Sequence, residues 1–191
     1  MPIEKSEFQQ RIAAIRQKMD EQRLDAVLVY GDEYRKENLR YVSNFWPIFE
    51  RGACVIGRRG DPILVGAPEG ERYAAEMSVW PDIRNIKEFA CVSVPEEIDY
   101  PLARFTTLRD VLAESLAGGK RLGLVGRMDI PGPIFERIQR AVEGSELVSC
   151  DGIVHGLRLI KSRAEIDCLR EAGRQACLGY QKLMETAVPG N

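Results

Sequence analysis

Residues 6–30 read SEFQQRIAAIRQKMDEQRLDAVLVY. Phe8, Ile12, Ile15 and Met19 recur at steps of three and four, which gathers them on one face of a helix. Ser6 and Gln9 have the spacing of a capping box, so the helix is expected to open with Ser6 as its cap. Leu24-Asp25 closes it, and Ala26–Tyr30 (AVLVY) follows with no polar alternation. A continuous apolar run of that length suits a strand buried on both faces. A helix leading into such a strand is the opening of an α/β layer structure.

Working outward, RGACVIGRRGDPILVGA from Arg51 to Ala67 holds two apolar runs joined by Arg58-Arg59-Gly60-Asp61. This predicts a β-hairpin with Gly60 and Asp61 at the turn and Pro62 at the mouth of the second strand. The arginine pair reads as a solvated hairpin tip rather than a phosphate site. Pro68–Val79 is expected to be helical with Tyr73, Ala74 and Met77 inward, and Ile83–Phe89 alternates as a half-buried strand. Glu96–Pro101 has no period and reads as a loop. Thr106 or Thr107 caps a helix with Leu108, Val111, Leu112 and Leu116 inside, ended by Gly118-Gly119. Arg121–Gly126 is a strand, Ile134, Ile138 and Val142 mark the inner face of a helix, and Glu146–Cys150 is a last short strand. Asp151–Leu159 then leads on to the C-terminal stretch. Gly123, Gly126 and Gly132 do not form G-x-G-x-x-G, and Pro131 and Pro133 remove N–H groups that a phosphate cradle would use.

The chain has 191 residues, 45% hydrophobic and 29% charged, enough apolar content for a packed core in one domain. A formal net charge of −2 carries no electrostatic footprint for nucleic acid. The charged N-terminus lacks the apolar segment of a signal peptide, and no apolar run is long enough to span a bilayer. Five cysteines without Cys-x-x-Cys spacing read as small buried hydrophobes. Together these lead us to expect a soluble cytoplasmic protein without membrane or nucleic-acid partners.

The last stretch, Leu157–Asn191, reads LRLIKSRAEIDCLREAGRQACLGYQKLMETAVPGN. Ser162 and Glu165 form a capping box. Ile166, Leu169, Gly173, Ala176, Tyr180, Leu183 and Ala187 then make one stripe down a long helix that Pro189-Gly190 stops. We read it as a connector to a further domain. The run LRLIKSRAEIDCLREAGRQA resembles the segment joining the two domains of the creatinase, prolidase and aminopeptidase P family of pita-bread metallohydrolases. RQKMDEQRLDAVLVY followed by NLRYVSNF is similar to that family's N-terminal signature, with Asn44 where glycine is common. Asparagine tolerates a left-handed backbone, so the turn is expected to survive.

The resemblance implies an α/β fold with a mixed sheet of five or six strands, helices on both faces and a long connector helix. It places the N-terminal domain at residues 1–160 and the connector, with the start of a catalytic domain, at 161–191. The family binds two divalent metal ions (Mn, Co or Zn) through two aspartates, one histidine and two glutamates, all expected beyond Asn191. His155, four residues after Asp151, is the chain's one histidine, too little for a metal centre or a nucleophile–histidine pair. No catalytic or metal residue is therefore assigned here, and the chain alone is expected to be inert.

Phe49-Glu50-Arg51 matches the family's Phe-x-Arg element, which in creatinase contacts the substrate carboxylate, and Trp46 stands just before it. The resemblance thus implies substrate contact by Phe49, Arg51 and Trp46. It also implies a homodimer, association with the chain's own C-terminal catalytic domain, and an Xaa-Pro peptide as substrate. Alternatives are a creatinase-like amidinohydrolase acting on a small molecule, an inert peptide-binding module on the same scaffold, or a free-standing small-molecule-binding domain.

Overall fold

The computed structural model describes residues 3–91 and 101–187. The loop expected at Glu96–Pro101, apart from Pro101, and the Pro189-Gly190 stop lie outside the described residues. In chain order the main elements are α1 (Lys5–Glu21), β1 (Ala26–Asp32), α2 (Glu37–Ser43), β2 (Arg51–Gly57), β3 (Ile63–Gly66), α3 (Glu71–Met77) and β4 (Ile83–Asn85). They continue with β5 (Arg104–Phe105), α4 (Leu108–Leu116), β6 (Arg121–Val125), α5 (Gly132–Ala141), β7 (Glu146–Ser149), α6 (Asp151–Leu159) and α7 (Arg163–Thr186).

One seven-stranded sheet runs in the order β5-β4-β3-β2-β1-β6-β7. β1 pairs antiparallel with β2, and β2 antiparallel with β3, while every other pairing is parallel. Six strands therefore share one direction, and β2 alone runs against them. β1 sits inside the sheet, and its side chains divide by parity as a pleated strand requires. Val27 and Val29 join the cluster that α1, α2, α3 and α6 cover with Ile15, Leu39, Ala74 and Ile153. Ala26, Leu28 and Tyr30 join the opposite cluster, covered by Leu112 and Val111 of α4 and Ile138 of α5. Helices pack on both faces, as the apolar AVLVY run implied.

Several local expectations hold in detail. Phe8, Ile12, Ile15 and Met19 are the buried face of α1. Thr107 caps α4 by accepting the Asp110 N–H, Asn44 ends α2 in the left-handed region at φ 62°, and Gly60 turns the β2–β3 hairpin at φ 74°. Three expectations need correction. The Ser6–Gln9 capping box does not form: the cap position falls two residues earlier, at Glu4, so that α1 begins at Lys5, with no side-chain cap bond. The strand expected over Ile83–Phe89 stops at Asn85 and gives way to a 3-10 turn at Lys87–Phe89. It is also wholly buried rather than half-buried, because Arg84, which the alternation puts toward solvent, is only 3% exposed and bonded to Asp82 and Glu114. The seventh strand, beyond the five or six expected, is the two-residue β5, too short to carry a period.

α7 differs from everything else. It is capped as expected, the Ser162 hydroxyl accepting from Glu165 N–H and the Glu165 carboxylate from Ser162 N–H. Yet none of its 24 residues is buried. Leu169, Leu178, Tyr180, Leu183 and Met184 are all exposed. Among the described residues no helix is long and apolar enough to cross a membrane.

Candidate functional site

Because six strands run one way, their carboxyl ends form a rim, and reversed β2 begins at that same rim. The chain reaches β2 from α2 through a segment shaped by its own side chains. Asn44, left-handed, donates from its amide to Met77 O at 2.9 Å and so ties the turn to α3. Phe45 is then buried against Tyr73, ring centroids 5.9 Å apart. Trp46 is half-buried, edge-on to Tyr73 at 5.8 Å with the Arg40 guanidinium 4.2 Å from its ring centre.

The next three residues are aimed by the middle one. Glu50 is 1% exposed. Its Oε2 accepts the backbone N–H of Ile48 at 3.2 Å and of Phe49 at 3.1 Å, folding the segment around an internal carboxylate. Phe49 is left 48% exposed, and Arg51 lies partly open at the first position of β2. One Arg51 nitrogen lies 3.4 Å from the Ala90 carbonyl and 3.2 Å from Cys91 Sγ. Beneath it, Tyr30 donates to Asp32 Oδ2 at 3.3 Å. Burial, and then the Asp32 charge, push the Tyr30 hydroxyl well above its ordinary pKa, so it stays a neutral donor. Asp32 Oδ1 accepts the N–H groups of Tyr34 and Arg35 at 2.9 and 2.8 Å and bends the chain over the rim, where Tyr34 and Met128 are exposed.

The structure thus brings Phe49 and Arg51 to one rim on either side of a buried anchor. Trp46 takes a different setting: its ring partners are Arg40 and Tyr73, whereas those of Arg51 are Ala90 and Cys91. Such a rim can offer a forked cation and an aromatic wall to a carboxylate-bearing ligand. Among the described residues it holds no nucleophile–base pair. Asp151 has a structural role: its Oδ1 accepts from Gly126 N–H at 2.6 Å and its Oδ2 from the Ser149 hydroxyl at 2.9 Å, while His155 is exposed. Among the described residues no group of three or more His, Cys, Asp or Glu could hold a metal ion. The described residues therefore do not fit a metal pair.

Two polar groupings escaped the sequence reading. Glu50 was the unspecified middle of Phe-x-Arg. Arg11 had no part in the sequence reading, though its spacing from Phe8 and Ile15 places it on the apolar face of α1, and it is 7% exposed. That spacing was the available signal.

An open, largely parallel sheet with a single reversed strand and helices on both faces defines an α/β layer domain. The sequence model of the creatinase/prolidase N-terminal domain matches residues 11–160, and the chain belongs to that family. It is 23% identical over 198 residues to an ectoine hydrolase of Halomonas elongata, covering 100% of this chain and 47% of the relative. Among solved structures, prolidase from Pyrococcus horikoshii matches with a TM-score of 0.65 at 22% identity over 95% of this chain and 44% of its own. An aminopeptidase P structure from Streptococcus thermophilus matches with a TM-score of 0.55 at 19% identity, over 79% of this chain and 98% of its own. These structural likenesses show the fold. The chain spans about half the length of the curated relatives it matches.

Proposed function

We propose that this chain is the non-catalytic N-terminal domain, residues 1–160, of a cytoplasmic metal-dependent hydrolase of Xaa-Pro peptidase type, with α7 as its connector. In this reading the domain contributes dimer contacts and one wall of a substrate pocket, and the two metal ions belong to a following catalytic domain. The observation that carries it is α7: a capped amphipathic helix of 24 residues with no buried residue, whose exposed Leu169, Tyr180 and Leu183 call for a cover. The match to prolidase and aminopeptidase folds supports the same assignment. Phe49 and Arg51 would then face the substrate, the guanidinium pairing with a carboxylate and the ring excluding water, with Trp46 behind them.

The test uses the longer protein with an Xaa-Pro dipeptide. Arg51→Ala should raise KM by roughly tenfold to a hundredfold, the scale of one lost charge-assisted hydrogen bond, and leave kcat much less affected. Phe49→Ala should act in the same direction. Hydrolysis should stop on chelation. Unchanged KM in both variants would remove the pocket role. Peptide binding that persists without hydrolysis and ignores chelators would leave a peptide-binding module instead. The similarity to an enzyme named for ectoine rather than for a peptide favours one alternative, a small amidino compound as substrate, as for creatinase. Turnover of such a compound with no Xaa-Pro cleavage would decide for it.

A further inference from the structure

We propose that Arg11 fixes the direction in which α7 leaves the domain, by holding the capping box of that helix against α1 and α2. Among the described residues α7 meets the body near its start: from Ala164 to Cys168 it is half-buried, and from Leu169 to its end every residue is exposed. Whatever sets its course therefore acts within its first turns. At that place both side chains of the capping box have a second partner. The Ser162 hydroxyl accepts the Glu165 N–H at 3.1 Å and donates to Glu7 Oε1 at 2.8 Å. Glu165 accepts the Ser162 N–H with one oxygen at 2.8 Å, and its other oxygen lies 3.5 Å from an Arg11 nitrogen. A box that served only to cap would leave those outer positions to water.

Arg11 gathers the group. Its guanidinium lies 4.8 Å from the ring centre of Phe8 and 4.2 Å from that of Tyr41. One nitrogen donates to Tyr41 O at 2.9 Å, and the other bonds Glu7 as well as facing Glu165. A planar fork can stack and bond in this way, where a lysine ammonium would offer a single point charge. Arg158 Nη1 adds a bond to Asn38 Oδ1 at 2.7 Å, fixing the end of α6 to α2 just before the chain turns into α7. The lever is long. At 1.5 Å per residue α7 extends about 36 Å, so a tilt of about 10° moves its far end by about 6 Å. Arg11 is a positioning residue for whatever α7 carries. The inference concerns this chain alone and does not require the peptidase reading.

Distance measurement between spin labels tests it. One label goes on native Cys177 and one on Gln139→Cys, both exposed, with Cys91→Ser and Cys168→Ala and with the buried Cys54 and Cys150 left in place. The parent should give one narrow distance band. Arg11→Met, which keeps an apolar stem among Phe8 and Tyr41, should widen the band about twofold or more, or split it, with helical circular dichroism retained. Glu7→Gln should widen it less. Should Arg11→Met not fold, Glu7→Gln combined with Glu165→Gln decides the matter in its place. A band already broad in the parent, or one still narrow and unshifted in the folded variants, overturns the proposal.

Discussion

β1 and α7 carry equally clear apolar patterns and have opposite fates. β1 lies between β2 and β6 with helices on both faces, and Ala26 to Gly31 are all buried. α7 repeats its stripe over six turns, yet none of its residues is fully buried. Periodicity announces that a face wants cover; it does not say where the cover comes from. For β1 the cover lies within the chain, because neighbours on both sides and both faces come from residues 8–154. For α7 the described residues supply a clasp at its root.

Substitutions can break or sharpen that contrast. The largest effect is expected in the body from Trp80→Ala, since the indole is buried and donates to Val42 O at 2.8 Å. A loss of about 3–5 kcal/mol in chemical denaturation is expected. Gly123→Ala comes next. A Cβ there would lie 2.7 Å from Cys150 Sγ and 2.9 Å from Leu24 Cδ1, both buried, so overpacking should cost about 1–3 kcal/mol.

Arg84→Met should cost about 1–2 kcal/mol at neutral pH, since the partners Asp82 and Glu114 are partly exposed and regain water. It should also change the shape of the pH profile. Hydrogen bonds from Arg84 hold both carboxyls below their ordinary range. Groups lowered in the folded state stabilise it fully above their unfolded pKa, about 4, and that stability is lost as pH falls through the folded values. Unfolding measured between pH 7 and pH 2 should therefore be less acid-sensitive in Arg84→Met than in the parent. The smallest effect belongs to the arm: Leu183→Gln should shift the unfolding midpoint by an amount worth less than about 0.5 kcal/mol. A loss comparable to that of Gly123→Ala would mean that α7 is covered in solution after all.

What could be read from the sequence were the features decided by neighbours in the chain. The α1 stripe, the doubly buried β1, the Thr107 cap, the left-handed Asn44 and the Ser162–Glu165 box all rest on residues within a few positions of one another. What escaped rests on distant partners. Arg84 reads as an outward residue until Glu114 is brought to it, and the pairing of Arg11 with Glu165 joins opposite ends of the chain. β5 has two residues and no period at all. At the rim, Phe49 and Arg51 were found through a three-residue pattern whose middle position, Glu50, turns out to be the buried one. Their part in binding a substrate rests on the proposal above.

The seat of Glu50 also constrains a residue twenty positions away. Its Oε1 lies where a Cβ on Gly70 would have to be, 2.4 Å from the ideal position. Gly70 has an ordinary backbone there, φ −95°, so the glycine answers to a neighbour's oxygen and not to a turn. Position 70 is not free to drift while Glu50 keeps its seat. Any side chain at 70 expels the carboxylate that shapes 48–50, whereas shortening residue 50 first would open room for one. In a pairwise mutational map the two positions should therefore show sign epistasis, a step harmful in one background becoming tolerable in the other, and evolution could travel between their states in one order only.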